Sequence, residues 1–163
     1  MLTYENFITN LFTKRKILPI EMQTLASTVF DIVDYYIINE INEVDKGWNV
    51  EIIEQKPQNK KNDNQISIYI DPKDLGSGAK IVGLYYKEDI KRVMFVFIDV
   101  SKDMRNLEEF ITNMLKPFEA QKHNNHLNDD YYFFIPLDKI QSVIDEMTIE
   151  NLKYFLTEKK YNL

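Results

Sequence analysis

The apolar residues change period at Gly47. Before it they recur every three or four positions, and after it they fall into short extended runs rich in aromatic and β-branched residues. A chain that switches in this way from helical to extended periodicity segregates its helices from its strands, which is the pattern of an α+β domain.

Two helices are predicted before the switch. Thr3 can cap the first, whose face is Tyr4, Phe7, Ile8, Leu11 and Phe12, and the cations Lys14, Arg15 and Lys16 suit its C-terminal end. Pro19 suits the first turn of a longer helix with the apolar face Met22, Leu25, Ala26, Val29, Val33, Tyr36, Ile37, Ile41 and Val44, and Gly47 is placed to stop it.

Beyond Gly47 the segments 48–55, 65–71, 79–87 and 92–100 read as strands, separated by the polar spacer KPQNKKNDN, the turn-rich DPKDLGSG and the short KEDIK. KEDIK is short enough for a hairpin, so the last two of these strands are expected to be antiparallel neighbours. RVMFVFIDV is apolar at successive positions, the mark of a central strand covered on both faces, whereas QISIYID alternates as a strand with one face toward water does. Asp103 is placed to cap a third helix with the face Leu107, Phe110, Ile111, Met114, Leu115 and Phe118, ended or kinked by Pro117. QKHNNHLNDD reads as a loop, and YYFFIPL as a fifth strand ended by Pro136. The C-terminus is helical in two pieces, with a new start at Thr148.

The expected architecture is α+β (or α/β): one domain over residues 1–163, with a mixed, mostly antiparallel five-stranded sheet packed with helices in the order ααββββαβα. In this scheme the third helix is a crossover that lays the last strand parallel to the one before it. No internal repeat or linker divides the 163 residues, a length that supports one ordinary core.

Composition excludes several chemistries. There are no cysteines, which rules out disulfides, zinc–thiolate sites, iron–sulfur clusters and thiol nucleophiles. The net charge of −6 argues against general nucleic-acid binding, because a binder normally presents a basic face. No apolar run approaches the length of a membrane span, and the first twenty residues place their basic cluster after the apolar ones, the reverse of a signal peptide. The expectation is a cytoplasmic protein with no membrane association and no cofactor.

The motifs for catalysis are weak. A metal-dependent nuclease of the PD-(D/E)xK kind needs strand-end carboxylates and a lysine two residues after one of them, and the candidates are Asp45, Glu54, Lys56, Asp71 and Asp99. About 2.7 acid-x-Lys triplets are expected by chance in a chain of this composition, and four occur, so the triplet carries almost no information. Asp99 lies at the end of the most apolar strand, but Ser101 stands where the lysine would be needed. His123 and His126 would share a face and ligate a metal only if helical, and their surroundings read as a loop. LGSGAK precedes a strand and lacks the spacing of a phosphate-binding loop. The paired tyrosines 35–36, 85–86 and 131–132 are expected to divide between core and surface.

One charge pattern stands out. From Ile17 to Asp45 there are six acids, Glu21, Asp31, Asp34, Glu40, Glu43 and Asp45, and no lysine or arginine. A helix without opposite-charge pairs forgoes a few tenths of a kcal/mol per pair. A face of one sign speeds encounter with a partner of the other sign, and otherwise it is simply a solvated face. Asp31, Asp34, Glu40, Glu43 and Asp45 are therefore the candidate partner-binding residues. The function expected from them is a non-enzymatic protein-binding module, an inhibitor or immunity-type protein of microbial origin that engages a basic protein. The alternative is the metal-dependent nuclease or hydrolase. A third option is a subunit that oligomerises through exposed aromatics, and oligomeric state is not readable from these residues.

Overall fold

The computed structural model describes residues 18–41, 48–55, 65–72, 79–97, 102–125 and 128–162. The expected first helix, Gly47, the spacer 56–64, residues 73–78, Asp99 and His126 lie outside them.

Helix α1 (Ile20–Tyr36) begins directly after Pro19, whose φ of −52° suits the entry to a helix. The carbonyl of Pro19 accepts from the Gln23 amide at 3.1 Å, and the Gln23 side chain donates to the Leu18 carbonyl at 2.8 Å. Its buried side is Met22, Leu25, Ala26, Val29, Ile32, Val33 and Tyr36, close to the predicted face. The helix widens into a π-turn at Ile37–Ile41, which keeps both Ile37 and Ile41 buried.

Six strands follow: β1 (Trp48–Gln55), β2 (Gln65–Pro72), β3 (Ala79–Lys87), β4 (Arg92–Phe97), β5 (Glu119–Asn125) and β6 (Asn128–Pro136). They form one sheet in the order β1-β2-β3-β4-β6-β5, and every neighbouring pair is antiparallel. The expected hairpin of β3 and β4 is present, turning through Glu88–Lys91 with Lys91 at a φ of 48°.

Two expectations for the sheet are corrected. The Asn-rich segment read as a loop is strand β5 and the start of β6, so the sheet has six strands. EAQKHNN has no apolar alternation to announce a strand, and its extended state comes from pairing with the apolar β6. The sheet is also not mixed, since β6 runs antiparallel to β4. Helix α2 (Arg105–Leu115) instead leads from β4 to β5, which run the same way with β6 between them.

The capping expectation fails as well. Asp103 sits within a 3-10 turn, Lys102–Met104, and Met104 holds the position before α2 with no side-chain cap. α2 stops at Leu115, two residues before Pro117, as the bias against helix ahead of proline requires. The C-terminal pair matches its prediction. Helix α3 (Ile140–Glu146) is separated from helix α4 (Ile149–Tyr161) by Met147 at ψ 68°, and the Thr148 hydroxyl caps α4 by accepting from the Asn151 amide at 3.1 Å.

The four helices pack on one side of the sheet. There Ile66, Ile68 and Ile70 of β2, Val82 and Leu84 of β3, Val93, Phe95 and Phe97 of β4, and Phe133 and Ile135 of β6 join one core with the buried sides of α1 to α4. Burying one such side chain is worth about 1.5–3 kcal/mol. β3 carries an extra residue in its pairing with β2, where Ile68 faces Val82 but Tyr69 faces Lys80, and the bulged Ile81 also reaches the core. The other side of the four central strands carries Ser67, Tyr69, Lys80, Gly83, Tyr85, Met94, Val96, Tyr132 and Phe134, of which Ser67, Gly83 and Val96 are buried and the rest half-buried. β4 is central and apolar on both faces, but the described helices cover only one of them, so the expected cover on both is not seen among the described residues. No helix of the described residues is long and apolar enough to cross a membrane.

Candidate protein-binding surface

Alternation of buried and exposed positions along α1 fixes which acids meet solvent. Met22, Leu25, Ala26, Val29, Ile32 and Val33 take the core side, so Glu21, Asp31 and Glu40 are exposed and Asp34 is half-buried. Glu43 and Asp45 lie outside the described residues.

These acids differ in what the fold gives them. Glu21 is in the first turn of α1, where the helix dipole favours a carboxylate. Asp31 and Asp34 are in the second half of the helix, and the last turn contains no basic residue. Among the described residues neither carboxylate has a salt-bridge or hydrogen-bond partner, whereas Lys159 of α4 pairs with Glu109 of α2 at 2.5 Å. Glu40 stands on the π-turn, where its charge reaches the Tyr36 phenol.

Tyr36 closes the end of this helix. Its ring is buried, and its hydroxyl donates to the Asp103 carbonyl at 2.7 Å, which ties α1 to the turn before α2. Burial, with the negative charges of Glu40 and Asp103 nearby, pushes its pKa up to about 12.

One cation borders the surface. Lys153 of α4 places its Nζ 5.3 Å from the centre of the Tyr35 ring, a cation–π contact one helical turn on from Asp31. α4 thereby brings one cation, Lys153, against the side of α1 that holds Tyr35. Sequence inspection of one helix at a time does not show this.

Exposed large apolar side chains collect on the same two helices. Ile20 and Ile38 at the two ends of the α1 region are 68% and 53% exposed, and Tyr154 and Tyr161 are exposed on α4; of the other described side chains only Ile90 is comparable. An exposed Ile is unremarkable alone; here Ile20 and Ile38 stand before and after the acids Asp31 and Asp34 along the chain.

The carboxylates considered for catalysis are distributed differently. Glu54 and Asp71 are both strand residues, but Glu54 is opposite Ile66 while Asp71 is opposite Asn49, at the other end of the β1/β2 ladder. Five residues of extended chain separate these positions, about 17 Å, too far for one metal ion to bridge. Asp45, Lys56 and Asp99 lie outside the described residues. His123 is a strand residue opposite Asp130 in the β5/β6 ladder, and not part of a loop. Among the described residues no group of three or more His, Cys, Asp or Glu side chains is arranged to hold a metal.

A polar cluster on the second sheet face was not readable from the sequence. The Lys80 ammonium donates to the Tyr85 hydroxyl at 2.6 Å and lies 4.9 Å from the centre of that ring. Beside it, the Gln65 amide donates to the fully buried Ser67 hydroxyl at 2.6 Å. Lys80 and Tyr85 both fall on this face because the bulge at Ile81 shifts the alternation by one. No known protein family, curated protein or solved structure matches the chain.

Proposed function

We propose that the chain is a non-enzymatic protein-binding module, an inhibitor or immunity-type protein whose α1 face engages a basic protein. The observation that carries this reading is the pair Asp31 and Asp34. Both are unpaired among the described residues, they are like charges three positions apart, and the last turn of α1 contains no basic residue. Such a pair repels by a few tenths of a kcal/mol with no compensating contact among the described residues, and groups of that kind concentrate at functional sites. Glu40 adds a further exposed acid on the π-turn, and Ile20 and Ile38 supply apolar contact area before and after Asp31 and Asp34.

The reading is tested by capture with the full chain as bait, using wild type and an Asp31→Lys/Asp34→Lys/Glu40→Lys variant. A basic protein held by the wild type and lost from the variant, with salt-sensitive binding, is the expected result. Equal retention by both overturns the acidic-face mechanism. Nicking of DNA or RNA in Mg²⁺ or Mn²⁺ that Asp99→Ala abolishes would overturn the binding-module reading in favour of a metal-dependent nuclease.

A further inference from the structure

We infer that the partner presents a basic amphipathic helix to α1, an inference that rests on the acidic-face reading above. Ile20, Thr24, Ser27, Asp31, Asp34 and Ile38 succeed one another at steps of four and three residues, the spacing of a single row along a helix. All six are exposed except the half-buried Asp34. The row is opposite in character to the buried one: apolar at each end, small at Thr24 and Ser27, acidic at Asp31 and Asp34. From Ile20 to Ile38 it runs about 27 Å at 1.5 Å per residue.

The partner's backbone decides between a helix and an extended segment. The backbone groups of α1 are committed to its own helix, and the hydroxyls of Thr24 and Thr28 donate to the carbonyls of Ile20 and Thr24 at 2.9 and 3.0 Å. The row therefore offers an incoming strand almost nothing to satisfy its N–H and C=O groups, whose burial without partners is costly. A helix arrives with those groups already paired and needs only side-chain complementarity. Small residues at 24 and 27 allow the two axes to approach closely, and the acids call for Lys or Arg at the facing positions.

The probe is an 18-residue peptide of leucine and lysine patterned as an amphipathic helix, titrated into the full chain while its amide resonances are followed. Its control replaces two central residues with proline. The expected result is binding of the helical peptide with shifts along residues 20–38, weakened at least about five-fold by Ile20→Ser/Ile38→Ser and at least about ten-fold by the prolines. Equal binding of the proline peptide, abolished by Asp31→Lys/Asp34→Lys, overturns the helical partner and leaves the acidic face standing. Binding that Asp31→Lys/Asp34→Lys does not weaken, shifts confined to residues outside α1, or no binding by either peptide overturns both.

Discussion

The Tyr36 hydroxyl donates a 2.7 Å hydrogen bond to the carbonyl oxygen of Asp103, 67 residues further along the chain. This bond is a long-range link from the end of α1 to the turn that leads into α2. Tyr36→Phe keeps the buried ring and removes the bond, and the expected loss is about 0.5–1.5 kcal/mol by urea unfolding at neutral pH.

The same residue predicts a pH dependence. Its phenol is held in the neutral form up to about 12 in the folded chain, against 10 when unfolded. A raised folded pKa means that the contribution is complete below pH 10 and is lost as pH climbs from 10 toward 12. Lysines titrate in this range too, but they do so in both proteins. The difference in stability between wild type and Tyr36→Phe should therefore narrow over that window, and a constant difference would show that the phenol is not held as described.

Much of this fold is readable in the sequence, and the exceptions share a cause. The faces of α1, α2, α3 and α4 follow from helical spacing, and β2, β3, β4 and β6 from runs of Ile, Val, Phe and Tyr, because burial of those side chains is what stabilises the elements. β5 escapes because EAQKHNN owes its conformation to its neighbour β6. Missing β5 also reversed the inferred direction of β6, since one extra strand changes parallel into antiparallel. The site divides along the same line. The run of acids in α1 is visible in one dimension, but the approach of Lys153 to Tyr35, and the Lys80–Tyr85 pair beside a bulge, depend on which segments meet.

Gly83 allows the Lys80–Tyr85 pair to form. A Cβ at this position would stand 2.9 Å from both Lys80 Cε and Tyr85 Cε2 and 3.0 Å from Lys80 Nζ. Gly83→Ala must displace the lysine, breaking its bond to the Tyr85 hydroxyl, at an expected cost of about 1 kcal/mol. In a Lys80→Ala background the same substitution should cost clearly less. A double-mutant cycle by thermal unfolding measures this coupling, and additive costs would mean that Lys80 does not occupy the notch.

Thr148 sets the break between the last two helices. Its hydroxyl accepts from the Asn151 amide at 3.1 Å, while the Asn151 side chain donates to the Glu146 carbonyl at 2.7 Å, so residues on both sides of the break are held. Thr148→Ala should cost about 1 kcal/mol, whereas Thr148→Ser, which keeps the acceptor, should cost little. Amide hydrogen exchange at Asn151 and Leu152 reports the fraying directly.

The acids on α1 predict an opposition between stability and binding. Asp34 is three residues from Asp31, and no basic residue of the last turn of α1 offsets the repulsion between the two carboxylates. Asp34→Asn should remove that repulsion and Asp34→Lys should reverse it, raising stability by about 0.2–0.5 kcal/mol at low ionic strength. The gain should shrink as salt is added, since an exposed interaction of this kind is screened over about 10 Å at 0.1 M. A surface acid with no role beyond solubility would show the same gain in stability but no change in partner binding. A binding residue must show both, more stable alone and weaker in complex, and thermal unfolding beside affinity for the basic partner separates the two cases.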